Sequence, residues 1–129
     1  MLLDEVGEFI EQAGFGQIGV NIFKGELPLN PISSIGLFEI SGTTPASTLD
    51  LEIAHEFPEL RVITRHSTYI AARARAESIM KLLATIKNTH LHGTFYLTIQ
   101  PRTTPYTLEV DANKNHLIAV HYNVMKVVS

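Results

Sequence analysis

The segment from Leu60 to Lys87 constrains the fold more than any other stretch of the chain. It opens with Leu60-Arg61-Val62-Ile63-Thr64-Arg65, whose β-branched residues favour a strand. Beyond a short turn, Tyr69, Ala72, Ala76, Ile79, Met80, Leu83 and Ile86 recur at the spacing of one apolar helix face. That spacing predicts an amphipathic helix from Ser67 or Thr68 to Lys87. Glu77, Ser78, Lys81 and Thr85 take the opposite side, where Arg73 with Glu77, and Glu77 with Lys81, are spaced to pair. Ala72 and Ala76 let the helix lie close on a neighbour. Ile79, Leu83 and Ile86 each contribute roughly 1.5–3 kcal/mol when fully buried. Such a face needs flat cover, and the rest of the chain supplies strands to build it.

Before this segment, Leu2 or Leu3, Val6, Phe9 or Ile10, and Ala13 predict a short helix over 2–13. Asp4 and Glu5 stand in its first turn, and Gly14 is placed to end it. Ile18–Phe23 and Ile35–Ile40 read as strands, separated by a Pro28- and Pro31-bearing loop. Leu49-Asp50-Leu51-Glu52-Ile53 alternates, as an edge strand or the arm of a projecting hairpin would, and Pro58 closes that excursion. After the long helix, Asn88–Gly93 reads as a turn. Thr94–Ile99, Tyr106–Val110 and His116–Val128 read as strands. Strands in neighbouring pairs predict an α+β fold: a mainly antiparallel β-sheet packed against one long amphipathic helix, with a short N-terminal helix. At 129 residues, 45% hydrophobic and 18% charged, a single domain spanning 1–129 is expected.

No run of 18 apolar residues predicts a membrane-spanning helix, and acids stand where a secretory leader would be basic. Cysteine is absent, which excludes disulfides and thiol catalysis. The net charge of −3 hides an asymmetry. Residues 1–60 hold ten acids and one base, Lys24, for a net −9; residues 61–129 hold nine bases and three acids, for +6. Either the halves neutralise each other within one fold, or an acidic face of one copy meets a basic face of the next.

The motifs of common chemistries are missing. There is no phosphate loop, no GxSxG elbow and no HExxH. His90 and His92 would share a side if extended, whereas His116 and His121 would face opposite sides of a strand, so no metal or cofactor is expected. Glu52, Glu56 and Glu59 form an acidic group without the neighbours that acid–base catalysis needs. Arg61 and Arg65 share one strand face, with Arg73 and Arg75 on the helix flanks. A pI near 6.0 and no interleaved aromatics argue against nucleic-acid readout and for a charged contact with protein. The seven residues Glu52, Glu56, Glu59, Arg61, Arg65, Arg73 and Arg75 are therefore the candidate oligomer interface, and the chain reads as a binding or structural protein rather than an enzyme.

Three stretches carry a resemblance: Gly19 to Pro28, Ile35 to Pro45, and Pro58 to Leu83 with its Tyr69–Glu77 helix start. With the order and spacing of Gly93 to Pro105 and the long final strand, the chain resembles the small bacteriophage minor capsid, tail-terminator and tail-completion (head–tail joining) proteins. The resemblance implies a structural virion protein of a long-tailed phage or prophage at the head–tail junction, assembled in the bacterial host cytoplasm. Proteins of this kind stop tail-tube growth or join tail to head as a ring, commonly hexameric. The implied partners are further copies of the chain, the tail tube protein and the head connector or stopper proteins. DNA would pass through the lumen without specific binding, which an acidic lining of Glu52, Glu56 and Glu59 would favour, and no membrane is involved. The family brings no catalytic residues, and the 43–57 excursion departs from its pattern. Two other readings stay open: a non-catalytic adaptor module on the same helix-and-sheet layout, and a small enzyme with an unrecognised site.

Overall fold

Alternating burial along four long strands builds a curled sheet with two helices on one face. The structure is a computed structural model; it describes residues 2–43 and 55–127, and for 41–43 and 55–56 the backbone alone. In chain order the elements are α1 (Leu2–Gln12), β1 (Ile22–Lys24), β2 (Ser34–Thr43) and β3 (His55–His66). They continue with α2 (Tyr69–Leu83), β4 (Lys87–Leu91), β5 (Thr94–Pro101), β6 (Tyr106–Val110) and β7 (His116–Val127). The sheet order is β1-β2-β3-β7-β5-β4, and β6 also pairs with β7, alongside the part that β5 leaves free. Every pairing is antiparallel except β1 with β2.

α2 forms where the apolar period predicts it. Thr68 caps its start, accepting a hydrogen bond from the Ala71 amide at 3.3 Å. Ala72, Ala76, Ile79 and Leu83 are buried against β3, β7 and β5. The helix is shorter than its period suggests. Past Leu83 the chain turns, Thr85 Oγ1 donates to the Leu82 carbonyl, and Ile86 stays in the core while its own carbonyl accepts from Ile99. Ile86 thus keeps its place on the apolar side without being helical. Tyr69 departs in the other direction: it is 40% exposed and meets the edge of His116 instead of the core.

α1 packs on β1, β2 and β4, next to α2 on the same sheet face. One core joins Leu2, Val6 and Ile10 of α1 to Ile79 and Leu83 of α2 through Leu37, Leu60, Val62, Ile118, Val120 and Tyr122. Two boundaries differ from expectation. β4 occupies the stretch read as a turn: it is a polar, mostly exposed edge strand with Asn88 at positive φ, so it lacks the apolar alternation by which strands are recognised. Pro58 lies inside β3 rather than before it, at the point where the β2–β3 register shifts between Ile40 and Thr43. A missing amide donor is tolerated at such an irregularity. The possible arm at 49–53 lies outside the described residues.

Candidate functional site

Among the described residues, no helix lies over the opposite face of the sheet. Because side chains alternate, the register aligns Ser34 with Arg65 and Leu117, Gly36 with Ile63 and Ala119, Phe38 with Arg61 and His121, and Ile40 with Glu59 and Asn123. The first two rows are covered from within the chain. Residues 25–33 cross there, so closely that a Cβ on Gly36 would lie 3.2 Å from the Glu26 carbonyl oxygen. Leu27, Phe38 and Tyr106 pack on Ile63, Leu117 and Ala119 as a second, smaller core.

Arg65 fastens that crossing loop. It is 3% exposed, and its guanidinium donates to the carbonyls of Pro28, Pro31 and Ile32 and to Ser34 Oγ. Arg75 reaches the same loop through Ser33 Oγ at 3.1 Å. Arg73 donates to Glu77, to the Tyr69 hydroxyl and to the Pro105 carbonyl. Three of the four arginines expected to face a partner are therefore straps between segments of one chain. Arg65 in particular is buried, and its guanidinium is taken up by the loop and Ser34 of its own chain.

The row of Glu59 holds a polar chain. Arg102 Nη1 donates to Glu59 Oε1 at 2.6 Å, and His121 Nδ1 stands 3.1 Å from the same oxygen. A carboxylate only accepts, so His121 Nδ1 carries the proton; in the neutral ring Nε2 then accepts from the Tyr106 hydroxyl at 2.7 Å. The two rings also stack at 5.8 Å. Burial alone would raise the Glu59 carboxyl, but the hydrogen bonds from His121 and Arg102, with their charge, outweigh it and hold it below the ordinary carboxylate range. Glu59 is thus neutralised by residues of the basic half, as the within-fold reading of the charge asymmetry expects. It is not a free acid of a lumen wall. Glu52 and the Glu56 side chain lie outside the described residues.

Arg61 is different. Its guanidinium carbon lies 5.4 Å from the centre of the Phe38 ring, and its Nε is buried with no acceptor among the described residues. Sequence reasoning placed Arg61 and Arg65 on one face, which they share. It could not separate the satisfied arginine from the unsatisfied one, because the acceptors of Arg65 lie more than thirty residues away in sequence. Arg102 and His121 were missed as partners of Glu59 for the same reason.

Nothing in this arrangement resembles a reaction centre. Among the described residues no group of three or more His, Cys, Asp or Glu is placed to hold a metal ion. His90 tilts on Phe95, while His92, in the following turn, pairs with Glu8. No described helix is long and apolar enough to cross a membrane.

Comparison with known proteins agrees with a structural role. No curated protein sequence matches the chain significantly. A structure from the virion of a native gene transfer agent particle matches with a TM-score of 0.54 at 13% identity, over 95% of this chain and 84% of that one, which shows a shared fold. A second solved structure matches with a TM-score of 0.48 at 10% identity, over 95% of this chain and 89% of its own. The sequence profile of bacteriophage tail terminator proteins matches residues 9–127, nearly the whole chain, and the chain therefore belongs to the bacteriophage tail terminator family of structural virion proteins.

Proposed function

We propose that copies of this chain assemble head to tail into a ring, near six in number, that sits at the head–tail junction of a long-tailed phage or prophage particle. There it would end the tail tube and offer its other side to the head connector or stopper proteins. The observation that carries this reading is the family match across residues 9–127. The sheet supports it as well: one face is finished by two helices, the other is only partly covered. A ring is built from two different patches per copy, and two unlike faces supply them. DNA would thread the ring without being held. A lumen of low positive charge serves that purpose, because affinity for DNA comes mainly from neutralising its phosphates.

The test is the mass of the purified chain in solution, by light scattering after size exclusion, at low and at high salt. A discrete oligomer near six copies is expected. A monomer at every salt concentration would remove the self-assembly claim. It would leave assembly on the tube or connector as the alternative, tested by adding tail tube protein and looking for co-elution.

A further inference from the structure

We infer that the uncovered sheet face around Arg61 docks a second copy of this chain, which presents a carboxylate to the Arg61 guanidinium. The inference rests on the ring reading and names a contact within it.

The chain has five arginines. Four are hydrogen-bonded within the chain: Arg65 to the 28–34 loop, Arg73 to Glu77 and Pro105, Arg75 to Ser33, and Arg102 to Glu59. Arg61 has no acceptor among the described residues, and its Nε is withdrawn from water. A buried guanidinium donor without an acceptor is costly, and such groups are rare in finished interiors. Its setting explains how the cost is limited: the stem and plane rest on Phe38, where a cation is attracted to the ring face. That leaves a half-buried guanidinium, held against Phe38, with no anion of its own among the described residues. An arginine stacked on an aromatic ring and lacking its anion has the make-up of an interface hot spot.

The same chain carries the matching charge. Glu26, Glu39 and Glu109 are exposed and have no hydrogen-bond or ion-pair partner among the described residues. Glu59, adjacent to Arg61 on its own face, is already occupied by Arg102 and His121. Glu39 follows Phe38 on β2, so it points to the sheet side opposite Arg61. A contact from Arg61 of one copy to Glu39 of the next is therefore head to tail, as a ring requires.

The experiment is sedimentation across a concentration series at low salt. It compares the wild type, Arg61→Met, Arg61→Lys and a triple variant with Glu26→Gln, Glu39→Gln and Glu109→Gln. The Arg61 Nε–H signal of the wild type is followed by NMR over the same series. Because Arg61 donates no hydrogen bond among the described residues and a Met side chain can still rest on Phe38, Arg61→Met, melted at a dilution where both proteins are monomeric, should melt near the wild-type temperature, while its self-association weakens roughly tenfold or more. Arg61→Lys should recover only part of the loss, since the fork is gone, and the triple variant should weaken comparably. The Arg61 Nε–H signal should move with concentration. An Arg61→Met variant that assembles like the wild type overturns the inference while the ring stands. A triple variant that assembles normally overturns its carboxylate part. A lowered melting temperature in Arg61→Met assigns the residue to the fold instead. A wild type that stays monomeric with an unmoved Arg61 signal overturns both the contact and the self-assembling ring.

Discussion

Two carboxylates on opposite faces of the sheet show how differently the faces are finished. Glu5 lies under α1, 5% exposed, and accepts from Thr94 Oγ1 and from the Tyr96 hydroxyl, each at 2.6 Å. Glu59 lies on the uncovered face with its side chain 14% exposed, and its partners are Arg102 and His121. Beneath the helix, two hydroxyl donors join the first element to β5 through a buried carboxylate. On the open face, Arg102 and His121 hold Glu59 at a surface where water still reaches Arg102. The low-dielectric site makes each hydrogen bond costly to lose; the exposed one makes each ion pair cheap.

The largest effect should come from breaking the sealed side. Glu5→Ala leaves the Thr94 and Tyr96 hydroxyls without that acceptor beneath α1. Two buried hydrogen bonds to the carboxylate, at about 1.5 kcal/mol each, are lost, so the variant should lose roughly 3 kcal/mol, read from urea denaturation midpoints at unchanged slope. A loss under about 1 kcal/mol would mean that water reaches the site and that the contrast between the faces is false.

Arg65→Met tests the covered end of the second face. Four hydrogen bonds are lost there against two at Glu5, but the orphaned carbonyls belong to a loop whose residues 29–32 are exposed and can turn to water. The expected cost is about 2 kcal/mol, accompanied by faster proteolysis within 28–34.

Much of this architecture was readable from periodicity. The α2 stripe picks out Ala72, Ala76, Ile79 and Leu83 because a helix on a sheet buries one face, and the long alternation of β7 places Ile118, Val120 and Tyr122 in the core. β4 was not readable, since an exposed edge strand of Lys87-Asn88-Thr89-His90 carries no apolar signal. Nor was the site. Whether an arginine is a strap or a free contact depends on acceptors brought in by the fold: Arg65 finds three carbonyls in a loop crossing its strand, and Arg61, four residues earlier on the same face, finds a phenyl ring. Composition registers both as positive charge.

Glu59→Gln measures the open side. The variant keeps the acceptor oxygen and loses the charge, and an exposed pair of this kind is worth about 1 kcal/mol or less, falling further in high salt. The sign of its pH dependence follows from the lowered Glu59 carboxyl. A group whose pKa is depressed by folding stabilises above its unfolded value and loses that contribution as pH falls through the folded one. The stability gap between wild type and Glu59→Gln should thus hold steady down to about pH 5 and close below the ordinary carboxylate value of about 4.3. A gap that widens on acidification would show that Glu59 is not held as the ion.

The smallest effect sharpens the comparison from within the sealed face, where two tyrosines are fully buried. The Tyr96 hydroxyl reaches Glu5, whereas the Tyr122 hydroxyl has no partner among the described residues, and burial pushes its phenol well above the ordinary range. Removing a donor that has no acceptor forfeits nothing and relieves its desolvation. Tyr122→Phe should leave stability unchanged or raise it by up to about 1 kcal/mol, measured by thermal and urea unfolding together. A clear loss would place an acceptor or an ordered water at that hydroxyl. The core under the helices would then be wetter than its apolar lining implies, and the two sheet faces would differ by degree rather than in kind.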